Sequence, residues 1–373
     1  MNISQLMNYY PKYSYLDQIV SSSGKDKITL FIDLKSCMQS LYQEWAVRYI
    51  IDQSRGTRQV DCSMFGSLLE FISWHKNYAK KRGLGISFFV FLESGKSGYH
   101  TNIEPRYKAN RKLTDFFGLD SDTKELFFNV MDKNYNVIEK VCNKLPDVTC
   151  IRLRYLEADF IPWYTVKNLN VMDEDQVGVI YSTDKDMLQC LDDGKMYQFY
   201  RHYKNHKILS GKDVFDHYFK DTLEWNYDPE YIALILAIVG DTADGIEGIK
   251  GIGDKTIKKV LPEIIESCGS MEDICKKVLN KEKLFENLGT NKNKPLEKIA
   301  ANEDIVTRNL KLTSYRILSD HVSNSIDYVE RVKTIGDTVS NKRKIVNGEV
   351  LNEALSKLGL HGMMSEDAVF NIF

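Results

Sequence analysis

Four apolar runs, each closing on acidic residues, constrain this chain more than any other feature. They are KITLFID (27–33), GISFFVFLE (85–93), VTCIRLRYLEAD (148–159) and VGVIYSTDKD (177–186). They end on Asp33, on Glu93, on Glu157 with Asp159, and on Asp184 with Asp186. Near-continuous apolar strands are what a sheet covered on both faces requires. The segments between read as helices: 61–82, where Phe65, Leu68, Leu69 and Ile72 recur at helical spacing, and 124–143. Strands alternating with helices predict an α/β domain with a parallel central sheet flanked by helices. Functional groups of such sheets gather beyond the carboxyl ends of the strands, and here four strands bring carboxylates to that rim.

The pattern changes near residue 211, where strand-like runs give way to helical pieces separated by Gly and Pro. PEYIALILAIVG (229–240) reads as an apolar helix running into GDTADGIEGIKGIGDKT (240–256). In that stretch Asp241 and Asp244 precede the glycine-rich GIKGIG (248–253), and a second helix is expected to begin with Asp254 as its N-cap. Glycine at this density serves tight turns or close backbone approach. The carbonyls of such a turn can face one point and hold a cation such as K+, while the helix that follows opens its N–H groups to an anion. With Lys250, Lys255, Lys258 and Lys259 beside it, the anion expected is a nucleic-acid backbone phosphate. Asp241 and Asp244 are placed to reach back to the strand-end acids. Residues 276–299, rich in lysine, read as an exposed helix pair or loop, and the rest of the chain to Phe373 as short helices.

Asp33, Glu93, Glu157, Asp159, Asp184, Asp186, Asp241 and Asp244 would repel one another if brought together with no cation between them. Hard divalent cations, Mg2+ or Mn2+, with oxygen ligands and water answer that need. Two such ions about 3.5–4 Å apart activate a water and stabilise the leaving oxygen in phosphodiester hydrolysis.

FID (31–33), YKANR (107–111), EAD (157–159), STDKD (182–186) and the glycine-rich stretch, in that order, resemble the motifs of the 5′-nuclease or flap endonuclease superfamily. The segment from GKSGY to YKANR is similar to the bacteriophage branch, whose members include the T-even phage RNase H. The resemblance implies a PIN-like nuclease domain over 1–210 with a helical arch in 94–130. It implies a helix–three-turn–helix DNA-binding region, with its helix-hairpin-helix, over 211–300 and a C-terminal helical region over 301–373. It implies that Lys108 and Arg111, at the base of the arch, contact the scissile phosphate and neutralise charge in the transition state. Tyr107 joins them on the DNA side, and Gly248, Lys250, Gly251, Gly253, Lys255 and Lys258 hold the duplex. The activity implied is that of a structure-specific 5′-3′ exonuclease or flap endonuclease, removing RNA primers or 5′ flaps in phage replication with two metal ions. Two positions depart from the pattern. Glu93 stands where the family usually has Asp, and Phe160 follows EAD where bacterial and phage members commonly carry a further carboxylate. The alternative these leave open is a catalytically weakened or inactive homologue that binds branched DNA as a replication accessory protein.

Net charge is −2, so any basic surface is local. Seven cysteines without a C-x-x-C pair point to a reducing compartment and away from a disulfide framework or zinc cluster. No signal peptide and no apolar window of membrane-spanning length is recognisable, so a cytoplasmic monomer without membrane contact is expected. SGKSG (94–98) is similar to a P-loop, but Val90 stands where that motif needs glycine. His202 and His206 are expected in a surface hairpin, and Phe116, Phe117, Phe127 and Phe128 between arch helices. AVFNIF (368–373) reads as a docked terminal segment, with a sliding clamp as the partner it would otherwise suit and single-strand binding protein as a further replication partner.

Overall fold

The computed structural model describes residues 14–34, 63–109 apart from 94 and 96, 132–169 apart from 133, 144 and 154, 172–202, 205–289 and 293–324. Arg111, the four arch phenylalanines and the segment 368–373 lie outside the described residues.

Helix α1 (Ser14–Ser23) leads into β1 (Lys27–Asp33), then α2 (Ser63–Lys81), β2 (Gly85–Leu92) and the short α3 (Gly98–Ile103). There follow β3 (Val148–Arg152), α4 (Phe160–Lys167), β4 (Gln176–Tyr181), β5 (Met196–His202), β6 (Asn205–Leu209) and α5 (Val214–Phe219). The second half holds α6 (Tyr231–Val239), the two-residue strands β7 (Gly240–Asp241) and β8 (Ile246–Glu247), and helices α7 (Asp254–Cys268) and α8 (Met271–Asn280). Helices α9 (Lys294–Ala301), α10 (Glu303–Thr313) and α11 (Tyr315–Asn324) complete it.

The six-stranded sheet has the order β3-β2-β1-β4-β5-β6. Every pairing is parallel except that of β5 with β6. The sequence marks strands β1 to β4; β5 and β6 add an antiparallel hairpin, in which Arg201 pairs with His206 and His202 with Asn205. From β1 the chain steps outward through β2 to β3, then returns to lay β4 on the other side of β1. That reversal, between β1 and β4, is where an α/β sheet opens a crevice beyond its strand ends.

The strands are apolar throughout because both faces are covered. Leu30, Ile32, Val90 and Val179 pack on one side with residues of α1 and α2, while Phe31, Phe89, Phe91 and Ile180 face the other. The second face shares its core with the helical half: one cluster runs from Phe31 through Tyr231–Ile238 of α6 to Val322 of α11. Helix α6 is therefore apolar all round, each of its fully buried Leu and Ile side chains contributing about 1.5–3 kcal/mol. Helix α10 fixes its carboxyl end. Buried Asn309 donates from Nδ2 to the carbonyls of Ala237 and Glu247, both at 2.9 Å, and nearer the amino end Thr313 Oγ1 donates to Ala233 O at 2.9 Å. Helix α11 fixes the other end, where Arg316 forms a forked pair with buried Glu230 at 2.8 and 3.0 Å.

Asp254 is not the N-cap of α7: Gly253 is, and Asp254 opens the first turn, where a carboxylate still suits the helix dipole. Cys142, Cys150, Cys190, Cys268 and Cys275 are buried free thiols. Among the described residues no helix is long and apolar enough to cross a membrane.

Candidate metal centre and nucleic-acid interface

The rim is held together by polar side chains at the strand ends. Ser182, just past β4, donates from Oγ to Asp33 Oδ2 at 2.9 Å, across the reversal between β1 and β4. Buried Gln198 of β5 donates to the carbonyls of Ser182 and Asp184 at 2.9 and 3.0 Å and so holds the loop after β4. Within that loop Asp184 N–H donates to Ser182 Oγ at 3.1 Å, and Asp186 N–H to Asp184 Oδ1 at 3.0 Å. Glu93 directly follows β2 on the same rim, two residues beyond Phe91, the register partner of Asp33. Glu157 and Asp159 lie in the turn that opens α4. From the helical half, Asp241 on β7 and Asp244 in the turn after it are both buried. Asp186, Asp241 and Asp244 each offer a carboxylate oxygen within 4.8 Å of the others, so the acids of the two halves do meet.

Two lysines enter the carboxylate cluster. Lys185 Nζ lies 2.9 Å from Asp241 Oδ2. Lys108 Nζ lies 2.5 Å from Glu157 Oε1 and 3.5 Å from Asp244 Oδ2. Charges this deeply placed need partners, and the ammonium groups offset part of the repulsion. Tyr107, expected on the DNA side, is buried, and its hydroxyl lies 3.0 Å from Glu157 Oε2 and 3.1 Å from Asp244 Oδ2. Consecutive side chains of an extended chain point apart. Lys108 has the left-handed φ of +56°, which turns it and Tyr107 onto the same two carboxylates. Its N–H donates to Asp244 O at 2.7 Å. A non-glycine residue held there costs about 1–3 kcal/mol, and such outliers gather at functional sites.

Burial pushes the carboxyls of Asp159 and Asp186 well above the usual range, and neighbouring Glu157 and Asp184 respectively push them further. Burial raises Asp184 too, against the opposing N–H of Asp186. Glu157 goes the other way: burial opposes it, yet the Lys108 ammonium and the Tyr107 hydroxyl hold it below its ordinary value. Burial likewise works against the Lys108 ammonium, and Glu157 and Asp159 outweigh it, raising its pKa. Asp159 Oδ1 and Asp186 Oδ1 are buried and have no hydrogen-bond partner among the described residues. Orphaned carboxylate oxygens are costly unless a cation or donor meets them. An all-oxygen donor set of this kind fits Mg2+ or Mn2+.

Sequence reasoning missed His100. It is buried in α3, with Nδ1 2.6 Å from Ser97 Oγ and Nε2 3.2 Å from the Leu312 carbonyl. A carbonyl only accepts, so Nε2 carries the proton and Nδ1 accepts from the serine in the neutral ring that burial favours. That ring stacks on Tyr107 at 4.7 Å between centroids. Phe160, in the position open to a further carboxylate, is fully buried against Trp163, Tyr164 and Tyr315.

The glycines of the turn divide into two groups. A Cβ at Gly248 would lie 2.0 Å from Val239 O, and one at Gly240 2.4 Å from Gly248 N, so these two glycines press backbone on backbone. Gly251, with φ +78°, and Gly253 are exposed at the tip. Lys250 and Lys255 are exposed beside them, whereas Lys258 pairs with Asp221.

Sheet and cluster define the class: an α/β protein whose strand-end carboxylates, completed by a helical unit, suit hard divalent cations. No protein-family model matches the chain. It is 28% identical over 227 residues to the flap endonuclease of Escherichia phage T5, covering 60% of this chain and 67% of that one. It is 29% identical over 175 residues to the 5′-3′ exonuclease of Mycoplasmopsis pulmonis, covering 47% of this chain and 50% of that one. The fold matches that of the T5 D15 protein co-crystallised with metal ions, with TM-score 0.56 and 21% identity over 83% of this chain and 99% of that one. It also matches a pseudo-enzyme-product complex of the bacteriophage T5 flap endonuclease with DNA and metal ions, with TM-score 0.57 and 20% identity over 84% of this chain and 100% of that one. In sequence and in fold the chain is similar to proteins of the 5′-nuclease superfamily, those of its phage branch among them.

Proposed function

We propose that this chain is a Mg2+-dependent structure-specific 5′-nuclease that hydrolyses phosphodiesters of 5′ flaps or RNA primers on duplex DNA. The observation that carries the reading is the meeting of Asp186 with Asp241 and Asp244 beside two orphaned carboxylate oxygens. Asp33, Glu93, Glu157, Asp159 and Asp184 would share with them the holding of two divalent ions. Such ions, when bound, supply an activated water and stabilise the leaving oxygen. The chain's own residues do the rest. Lys108, clasped between Glu157 and Asp244, presents a positive charge at the rim, and Arg111 is assigned with it to the scissile phosphate. Tyr107 keeps the carboxylates of the two halves in register rather than meeting DNA directly. The exposed tip, with Gly251, Gly253, Lys250 and Lys255, grips duplex phosphates without reading bases, and K+ at the turn would serve the same contact. Gly248 supports that tip from within, and Lys258 joins the grip only by leaving Asp221. On this reading 1–210 is the nuclease part, 211–300 the duplex-binding part and 301–373 the helical support. The protein acts inside the cell during phage replication.

The test is cleavage of a 5′-labelled flap and of an RNA–DNA hybrid with Mg2+, by wild type and by Asp186→Asn and Asp33→Asn. Both variants should fold normally and lose at least about 100-fold in turnover, since each loses a charged ligand needed in the transition state. Tight binding of branched DNA without cleavage by the wild type would replace the reading with that of an accessory binding protein.

A further inference from the structure

The proposed metal reading leaves one charged side chain without a task. Lys185 stands between Asp184 and Asp186 in sequence, yet its ammonium is committed to neither. It lies 2.9 Å from Asp241 Oδ2. Asp241 is only 5% exposed, and its other oxygen accepts the Ala243 N–H at 3.0 Å. Both oxygens of the carboxylate are therefore engaged inside the protein. This is the same Asp241 that offers an oxygen to the cluster with Asp186 and Asp244. An ammonium and a divalent cation repel strongly at contact distances in a partly dry site, so both cannot rest against Asp241 at full strength.

We propose that Lys185 is a resident counter-ion for Asp241, which an incoming divalent cation must displace, and that it thereby lowers the affinity of the centre. The two lysines of the site differ in a way that singles it out. The Lys108 side chain is 18% exposed and engaged by both Glu157 and Asp244. The Lys185 side chain is 41% exposed and, among the described residues, bridges to Asp241 alone, so its flexible stem has a path to solvent. Once displaced, its ammonium stays on the rim that Asp184 and Asp186 share, where a substrate phosphate would meet it. Lys185 thus keeps the acids compatible before loading and is exchanged on loading.

This inference rests on the metal reading above, and the test separates the two. Mn2+ binding to the full chain is measured by calorimetry without nucleic acid. Lys185→Met, at a half-exposed position, should fold normally, as checked by circular dichroism. It should bind Mn2+ about five-fold tighter, the order expected for losing one partly exposed ion pair. Lys185→Arg, which keeps the charge, should bind within about two-fold of wild type. Unchanged or weaker Mn2+ affinity in Lys185→Met, with wild type still binding, overturns the role of Lys185 and leaves the metal reading intact. A wild type that takes up no Mn2+ overturns the metal reading itself.

Discussion

Tyr107 and Lys108 illustrate how far single residues depart from their apparent roles. Both belong to a basic motif that reads as nucleic-acid contact, and both turn inward, through one left-handed φ, to hold Glu157 against Asp244. A backbone dihedral of that kind leaves no trace in a one-letter code. His100 was invisible for another reason: a lone histidine before a basic motif has no spacing partner, and only the fold brings Ser97 and Leu312 to its two nitrogens. A second buried histidine makes a testable statement about pH. His75 donates from Nδ1 to Phe71 O at 2.8 Å and accepts at Nε2 from the Tyr15 hydroxyl at 2.6 Å, and burial takes its pKa from the usual 6.5 down to about 4. The unfolded chain therefore binds the proton first as pH falls. Stability should be full above about pH 6.5 and fall by about 3 kcal/mol towards pH 4 from this group alone. Urea unfolding at pH 7 and pH 4.5 should show the loss, and His75→Gln should show less of it.

At the scale of elements, strands β1 to β4 were legible because burial on both faces demands an unbroken apolar run, and KITLFID spans β1 from end to end. Strands β5 and β6 were not, because an edge hairpin carries Arg201, His202 and Lys207 among its apolar residues. The strand-end carboxylates of the candidate site were legible as such, while the lysines that pair with them were not, since pairing depends on which loops face each other. The turn separates two uses of glycine that sequence alone merges. Gly248→Ala should destabilise the protein by more than about 2 kcal/mol, because the added methyl meets Val239 O with no flexible atom to yield. Gly251→Ala meets only the end of Lys298, so its cost should stay near the roughly 1 kcal/mol of a left-handed alanine. Duplex binding should suffer more from it than folding does. Thermal melting and filter binding of the two variants check both halves; equal loss of stability would contradict the division.

The molecule as a whole is tied together at three levels: one apolar cluster from β1 to α11, the Asn309 and Arg316 contacts to α6, and the acids themselves. Because α6 cannot leave the sheet without exposing its whole apolar surface, the two halves should unfold in one calorimetric transition. Two resolved transitions would show that the shared core does not couple them. One further consequence follows from Gly240 and Gly248, packed backbone to backbone. Their contact fixes how far the turn bearing Lys250 stands from Asp241 and Asp244. On the proposed reaction, the phosphate gripped at the turn and the bond broken at the acids are then separated by a set length of strand, and the protein works as a gauge. Cuts should fall at a constant nucleotide interval from the start of the duplex, whatever the sequence. An extra residue inserted between Glu247 and Gly248 should shift or smear the product lengths on a sequencing gel, even where the rate of cutting survives.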